Sequence, residues 1–390
     1  MSKLNVLYIV HDSTIAGTSL STLNLIQSVK DYVTPIVLLH DKGQGGKTKS
    51  VYDLYREAGL EVIAYPFPIN WDYRKCGRNV LRYEYYHLLE MKAFYLQESK
   101  SVEELTNILK DRNINVIHSA SCVVSVGYRL SRALHAKLVW HVREFMDLDF
   151  NIKPMLGFWL TGLMIRHSDY AIAITKAVYQ HWHLNWMKDR SRYLWDAVRS
   201  LSEISYDANK ESFFLFCAGN LTHEKGADAA VEAFGESGLA KYGFKLKMIG
   251  NYSAQTKENL MDVAMKYHCT DAVELLGFIS DIKPYMLKAK AFLMTSLNEG
   301  LGRTTVEAMF YGCPVIARHS GGTVDFMTNG KTGYFFYTVN ECAQLMVKLS
   351  VETPKDIIDN AHALVRDHFS EESYGKAIIS IYDKLMDKNE

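Results

Sequence analysis

The sequence predicts an α/β protein made of two doubly wound parallel-sheet domains. Three observations carry this expectation. Short apolar runs recur without polar alternation, which is how strands covered on both faces read. Helix-length stretches fall between many of them, and that alternation marks parallel sheets wrapped by helices. At 390 residues the chain exceeds what one core usually accommodates, so two domains are the starting expectation.

In chain order, LNVLYIV (4–10), PIVLLH (35–40), EVIAY (61–65), NVIHSA (115–120), KLVWHV (137–142), YAIAIT (170–175) and YLWDAV (193–198) read as strands. Helical patterns occupy 18–30, 101–112 and 176–186. Residues 200–212, SLSEISYDANKES, are polar and interrupt the pattern. It restarts with SFFLFCAG (212–219), KLKMIG (245–250), AVELLGF (272–278), KAFLMTS (290–296), PVIAR (314–318) and GYFF (333–336). The expected domains are therefore 1–200 and 206–370, followed by a C-terminal helix over 371–390 that can pack back on the first domain. Ile378, Ile379, Ile381, Leu385 and Met386 supply its apolar positions.

Two insertions stand out in the first half. WDYRKCGRNVLRYEYYHLL (71–89) interleaves Arg74, Lys75, Arg78 and Arg82 with Trp71, Tyr73, Tyr83, Tyr85 and Tyr86. PMLGFWLTGLMI (154–165) is almost wholly apolar. It reads either as a buried helix or as a surface that touches a membrane or a lipid acceptor. An aromatic and basic mixture also suits single-stranded nucleic acid. A formally neutral chain without a nucleic-acid motif argues against that partner.

Charge is unevenly divided. Residues 1–200 hold 25 Lys+Arg against 19 Asp+Glu, and residues 201–390 hold 19 against 25, so the halves carry +6 and −6. A basic half suits an anionic partner such as a membrane surface or a phosphorylated lipid. Ordinary solvated charge accounts for it equally well. Six cysteines, at 76, 122, 217, 269, 313 and 342, form no Cys-x-x-Cys pair and suggest neither zinc nor a disulfide framework. Met1-Ser2-Lys3 leads into an apolar run too short for a secretory signal, and no run approaches the ~20 residues that span a bilayer. The expected location is cytoplasmic, with association at the inner membrane face as an option.

The stretch SLNEGLGRTTVEAMFYGCPVIA (296–317) carries the chemistry. A strand ends near Ser296 and a helix begins near Arg303. Gly312 then caps the helix, and Pro314 prevents its continuation. Gly300 and Gly302 let the backbone approach a ligand. The free N–H groups at the helix start favour phosphate, and Thr304 and Thr305 add hydroxyl donors. Glu299 and Glu307 need a different ligand group. Carboxylates only accept hydrogen bonds, and sugars supply hydroxyl donors. A nucleotide-sugar has this layout: ribose, diphosphate, hexose. A capping acid at 299 and a surface acid at 307 form the plain alternative.

With its context, the stretch resembles the donor-site signature of retaining glycosyltransferases of the GT-B fold, family 4 (group 1) type. Glu299, Gly300, Leu301, Gly302, Arg303, Thr304, Thr305, Val306, Glu307 and Ala308 match in order, followed by Gly312, Pro314, Val315, Ile316 and Ala317. Gly321-Gly322 and Gly330-Lys331-Thr332-Gly333 also look like this family. CAGNLTHEKGAD (217–228) is similar to its Gly-Arg-x-x-x-x-Lys-Gly turn, with Lys225 and Gly226 in place but Asn220 where the arginine stands. Arg303 is a substitute for that arginine or a solvent-facing residue. Gly17, in HDSTIAGTSLSTLNLI (11–26), matches the glycine turn of the first domain. His141, in WHVREF, matches a strand-end histidine close to the transferred sugar. Arg143 and Glu144 either touch the acceptor or pair with each other.

The resemblance implies donor binding in the second domain and acceptor choice in the first. It implies transfer of a sugar from a nucleotide-diphosphate sugar to a hydroxyl of a glycan or lipid-linked acceptor, with retention and without a catalytic metal or other cofactor. Lys225 would neutralise the diphosphate, Glu299 would hold sugar hydroxyls, Glu307 the ribose, and His141 would orient the sugar. Surface polysaccharide synthesis is the expected setting. A non-catalytic nucleotide-sugar-binding subunit and a sugar-nucleotide epimerase are the alternatives. His181 and His183, two residues apart, do not share a helix face and give no metal site.

Overall fold

The computed structural model describes residues 3–15, 17–41, 50–72 and 80–387, except the side chains of 80–83, 149 and 150. It divides into two compact units, Met1–Ala197 with Glu371–Glu390, and Val198–Ser370.

Unit 1 holds strands β1 (Leu4–Val10), β2 (Val33–Leu39), β3 (Glu61–Ala64), β4 (Val116–Ser119), β5 (Lys137–Val142), β6 (Tyr170–Ala173) and β7 (Ser191–Tyr193). They form one parallel sheet in the order β3-β2-β1-β4-β5-β6-β7. Its helices are α1 (Gly17–Val29), α2 (Val51–Glu57), α3 (Val80–Leu109), α4 (Val126–Ala133), α5 (Asp147–Phe150), α6 (Gly157–Arg166) and α7 (Lys176–His181). The apolar runs are central strands. Val6 to Val10 of β1 are fully buried, because β2 pairs on one side and β4 on the other.

Unit 2 repeats the plan with β8 (Phe213–Asn220), β9 (Lys245–Asn251), β10 (Val273–Gly277), β11 (Phe292–Met294), β12 (Val315–Arg318) and β13 (Tyr334–Phe336), ordered β10-β9-β8-β11-β12-β13. Its helices are α8 (Ala227–Ser237), α9 (Ala254–Lys266), α10 (Lys283–Lys288), α11 (Arg303–Phe310), α12 (Val339–Val351) and α13 (Lys355–His368). In each sheet the winding reverses beside the first strand, between β1 and β4 and between β8 and β11. Ligands of open α/β sheets bind at such points, beyond the carboxyl ends of the strands. In unit 2 the pairing of β8 with β11 covers only Phe292↔Leu215 and Leu293↔Phe216. Beyond it, Cys217–Asn220 and Thr295 onward are not paired with each other.

The last helix, α14 (Glu371–Asp387), belongs to unit 1. Tyr374, Ile378, Ile381, Tyr382 and Leu385 share a core with Val6, Tyr8, Leu25 and Ile26. Gly375 permits the contact, since a Cβ there would lie 2.3 Å from the Ser28 carbonyl oxygen on α1.

Several expected elements differ. YLWDAV is strand only up to Tyr193. Ala197 and Val198 are buried outside the sheet, and the Ala197 carbonyl accepts from Asn24 Nδ2, so apolarity here reflects packing and not strand pairing. The helix expected over 101–112 is the end of the longer α3. The one expected over 176–186 stops at His181, and His183 then turns left-handed (φ 52°) into a 3-10 segment, Leu184–Arg190. The apolar stretch 154–165 forms α6, with Thr161, Gly162, Met164 and Ile165 buried and Trp159 exposed. Of the insertion 71–89, residues 73–79 and the side chains of 80–83 lie outside the described residues. From Glu84 on it is α3.

Candidate functional site

In unit 2 three loops are tied together at the switch point. The turn after β8 enters α8 through Gly226, whose backbone is left-handed (φ 72°). A Cβ at Gly226 would lie 2.1 Å from the Thr295 carbonyl oxygen, so only glycine lets the turn reach the end of β11. Thr295 Oγ1 donates to the Gly226 carbonyl at 2.7 Å, and the Leu297 N–H donates to the Glu224 carbonyl at 3.0 Å. These bonds fix Lys225, between Glu224 and Gly226, against the following loop. Its Nζ lies 2.8 Å from Glu299 Oε1. The third loop follows β12. The Gly322 N–H donates to the Glu299 carbonyl at 2.7 Å, and a Cβ at Gly321 (φ 60°) would lie 2.6 Å from the Glu299 backbone. Glu299 is thus held from two sides while its side chain and that of Lys225 keep 20% and 29% exposure, enough to meet a ligand.

Gly302, also left-handed (φ 75°), starts α11. The first N–H groups of a helix have no intrahelical acceptor and carry the positive end of its dipole. Arg303 and Thr304 of this first turn are half-buried, and Gly300 lies in the turn before it. Leu301 and Thr305 are buried, and Thr305 Oγ1 has no hydrogen-bond partner among the described residues. One turn on, Glu307 is buried and its Oε1 accepts from Arg199 Nη2 at 3.0 Å. Burial works against the Arg199 charge, but Glu307, Tyr311 and Glu203 together outweigh it and hold the guanidinium pKa above its usual value. Burial, with the Glu307 charge added, raises the nearby Cys217 thiol to about 12. Asn220 ends β8 and is exposed.

The first-unit residues lie apart in kind. Gly17 is the exposed start of α1, and Asp12 Oδ2 accepts from the Ser19 N–H of that helix at 3.0 Å. His141, the last residue but one of β5, is fully buried. Its Nδ1 lies 3.2 Å from His118 Nε2, and its Nε2 lies 3.4 Å from Asp196 Oδ1 without hydrogen-bond geometry. His118 Nδ1 lies 2.8 Å from the Tyr382 hydroxyl. Burial lowers the pKa of both histidines well below the usual value, and the Arg143 charge lowers them further. Both rings are therefore neutral.

Of the two readings of Arg143 and Glu144, contact with the acceptor or pairing with each other, the hydrogen bonds do not show the second. Arg143 is buried and binds Asp196 through Nε (3.0 Å) and Nη2 (3.1 Å), with Nη1 on the Ala120 carbonyl. Tyr374 of α14 donates to the same Asp196 at 2.9 Å. Glu144 Oε2 accepts from the Cys122 N–H at 3.3 Å. A buried guanidinium takes the carboxylate that offers a bidentate fit, and that is Asp196.

The structure thus brings Lys225, Glu299, the α11 start and Glu307 into one set of loops in unit 2, and places His141, Arg143 and Glu144 in a buried network of unit 1. Arg199, Asp196, His118, Tyr374 and Tyr382 were not singled out from sequence. Asp196 sits inside the run that reads as a strand, and Arg199 borders the polar break; neither has a local signal. Among the described residues, no group of three or more His, Cys, Asp or Glu is placed to hold a metal ion.

The two parallel sheets with this strand order define the class: a GT-B fold of two Rossmann-like units. Residues 199–361, within unit 2, match the family model described as Glycosyl transferases group 1. The chain is similar to an uncharacterized glycosyltransferase of Methanocaldococcus jannaschii, 26% identical over 322 residues, with 80% of this chain and 86% of that one covered. It is 26% identical over 180 residues to the lipopolysaccharide core biosynthesis mannosyltransferase LpcC of Rhizobium leguminosarum bv. viciae, covering 44% of this chain and 51% of that protein. Among solved structures, HepE of Anabaena in complex with UDP and glucose superposes with a TM-score of 0.76 at 17% identity, over 98% of this chain and 100% of that one. At that identity the likeness is one of fold.

Proposed function

We propose that this protein is a retaining glycosyltransferase of the family 4 type. It would move a sugar from a nucleotide-diphosphate sugar to a hydroxyl of a glycan or lipid-linked acceptor, in surface polysaccharide synthesis at the cytoplasmic face of the membrane. One observation carries the proposal: Lys225 and Glu299 sit 2.8 Å apart beside the start of α11, at the carboxyl ends of β8 and β11. Lys225 and the first N–H groups of α11 suit the diphosphate, and they offset the charge that develops as it leaves, without a metal. Glu299 then exchanges its lysine for sugar hydroxyls. Glu307, with Oε1 on Arg199, offers its second oxygen to the ribose. The relatives' printed activities, among them a mannosyltransferase and a glucosyldiacylglycerol synthase, support transfer over the two alternatives.

The test is thermal stabilisation by UDP-, GDP- and ADP-sugars, followed by turnover with a lipid-diphosphate sugar acceptor. A donor at about 100 times its Kd adds about 2.7 kcal/mol of stability. Glu299→Gln should reduce that gain. Release of nucleoside diphosphate only with acceptor present, and product of unchanged anomeric configuration, is the expected result. Stabilisation without release would leave a binding subunit, and a new sugar epimer without acceptor would mean an epimerase. No stabilisation by any donor refutes the assignment.

A further inference from the structure

Trp159 and Trp186 are 75% and 67% exposed, an unusual placement for the largest apolar side chain. They lie on one face of unit 1. Arg166, two turns after Trp159 on α6, folds its guanidinium back over Gly162, where a Cβ would lie 2.9 Å from Nη1. That guanidinium sits 5.0 Å from the Trp186 ring. Trp159 lies seven residues before Arg166, so the two share a face of α6, and the Arg166 guanidinium reaches from that face to Trp186. Phe158, tilted against the buried Trp182 with ring centroids 5.7 Å apart, anchors α6 to the core.

The chain segment that carries both indoles is basic. Residues 151–192 hold six Lys+Arg (153, 166, 176, 188, 190, 192) against two acids, Asp169 and Asp189, or +4. Lysines from other segments sit on both acids: Lys137 lies 3.9 Å from Asp169, and Lys384 lies 3.7 Å from Asp189. Lys188 and Arg192 are exposed. The segment that presents Trp186 is also strained. Lys188 has φ 53° and ψ −121°, outside the regions open to non-glycine residues. Strain of this kind persists where the surrounding structure imposes it and gathers at functional segments.

We propose that this face, Trp159 and Trp186 around Arg166, docks on the interface of an anionic lipid bilayer. Indoles favour the headgroup boundary, where the ring is in apolar contact and the N–H stays wet. Lys188 and Arg192 add attraction to negative lipid. No helix among the described residues is long and apolar enough to cross a membrane, so this contact lies on the surface. It holds whether or not the protein transfers a sugar.

The full chain is sedimented with vesicles of equal parts phosphatidylglycerol and phosphatidylcholine, and with phosphatidylcholine alone. Expected are binding to the anionic vesicles, a blue shift of tryptophan emission, and weakening by salt. Trp159→Ala with Trp186→Ala should cut partitioning about tenfold or more, since each indole removes substantial apolar area from water. Lys188→Glu with Arg192→Glu, both exposed and expected to fold, should remove the preference for anionic vesicles. Absence of binding overturns the proposal, as does binding that neither double variant weakens. Equal binding to neutral vesicles overturns it too. Donor stabilisation is read separately, so failure here and failure of the transferase assignment are distinct results.

Discussion

The buried histidine pair of unit 1 makes the stability of this protein depend on pH in a calculable way. His118 and His141 are fully buried, and burial, reinforced by the charge of Arg143, holds both pKa values well below the usual range. In the unfolded chain each titrates near about 6.5. A depressed folded pKa means that the unfolded state takes up the protons. The neutral pair's stability is therefore complete above about pH 6.5 and is lost as pH falls toward the folded values. Between pH 7.5 and 5.5 a histidine held neutral throughout forfeits on the order of 1 kcal/mol, set by the proton uptake of the unfolded chain. Asp12 and Glu98, whose pKa values burial raises, act in the opposite sense, and His362 in the same sense. All three are common to wild type and variant and drop out of the difference. The assay is urea unfolding at the two pH values, followed on the transition of unit 1, for wild type, His118→Gln and His141→Gln. Each variant should lose part of the wild-type pH dependence, on the order of 1 kcal/mol. A variant with the full wild-type dependence would show that its histidine is not held neutral, and the argument from burial would fail.

Two further predictions concern unit 2. Gly226→Val places a β-branched residue in a left-handed backbone and its Cβ against the Thr295 carbonyl oxygen, so Tm should fall by several degrees and donor stabilisation with it; an unchanged Tm refutes the close approach. The Arg199–Glu307 bond at 3.0 Å joins a partly exposed and a buried group, and a double-mutant cycle of Arg199→Ala with Glu307→Gln should give a coupling of about 1 kcal/mol; zero coupling would mean the pair does not form in solution.

Much of the fold was legible because central parallel strands must be apolar along their whole length. The six apolar runs from SFFLFCAG to GYFF each contain one strand of unit 2. YLWDAV shows the limit: a buried segment outside the sheet carries the same composition. At the site, glycines at a strand-to-helix turn, followed by a capped helix, are local signals, and the turn at 299–307 stands where spacing put it. Lys225 and Glu299 were also visible, but as groups for different parts of a ligand. Their bond to each other arises because Gly226 and Thr295 bring two loops together from 69 residues apart.

Sequence alone settled the alternation of elements and the glycine turn into α11, with Glu299 before it and Glu307 one turn into the helix. Both depend on neighbours within a few turns of chain. Tertiary structure decided who partners whom. Asp196 receives both Arg143 and, from 178 residues away, Tyr374; His118 meets Tyr382 across 264 residues; Glu307 meets Arg199 across 108. A buried charge or ring nitrogen takes whichever complementary group the packed chain delivers within about 3 Å, and nothing in local spacing encodes that delivery. The outward placement of Trp159 was likewise settled only when α6 turned its other face to the core.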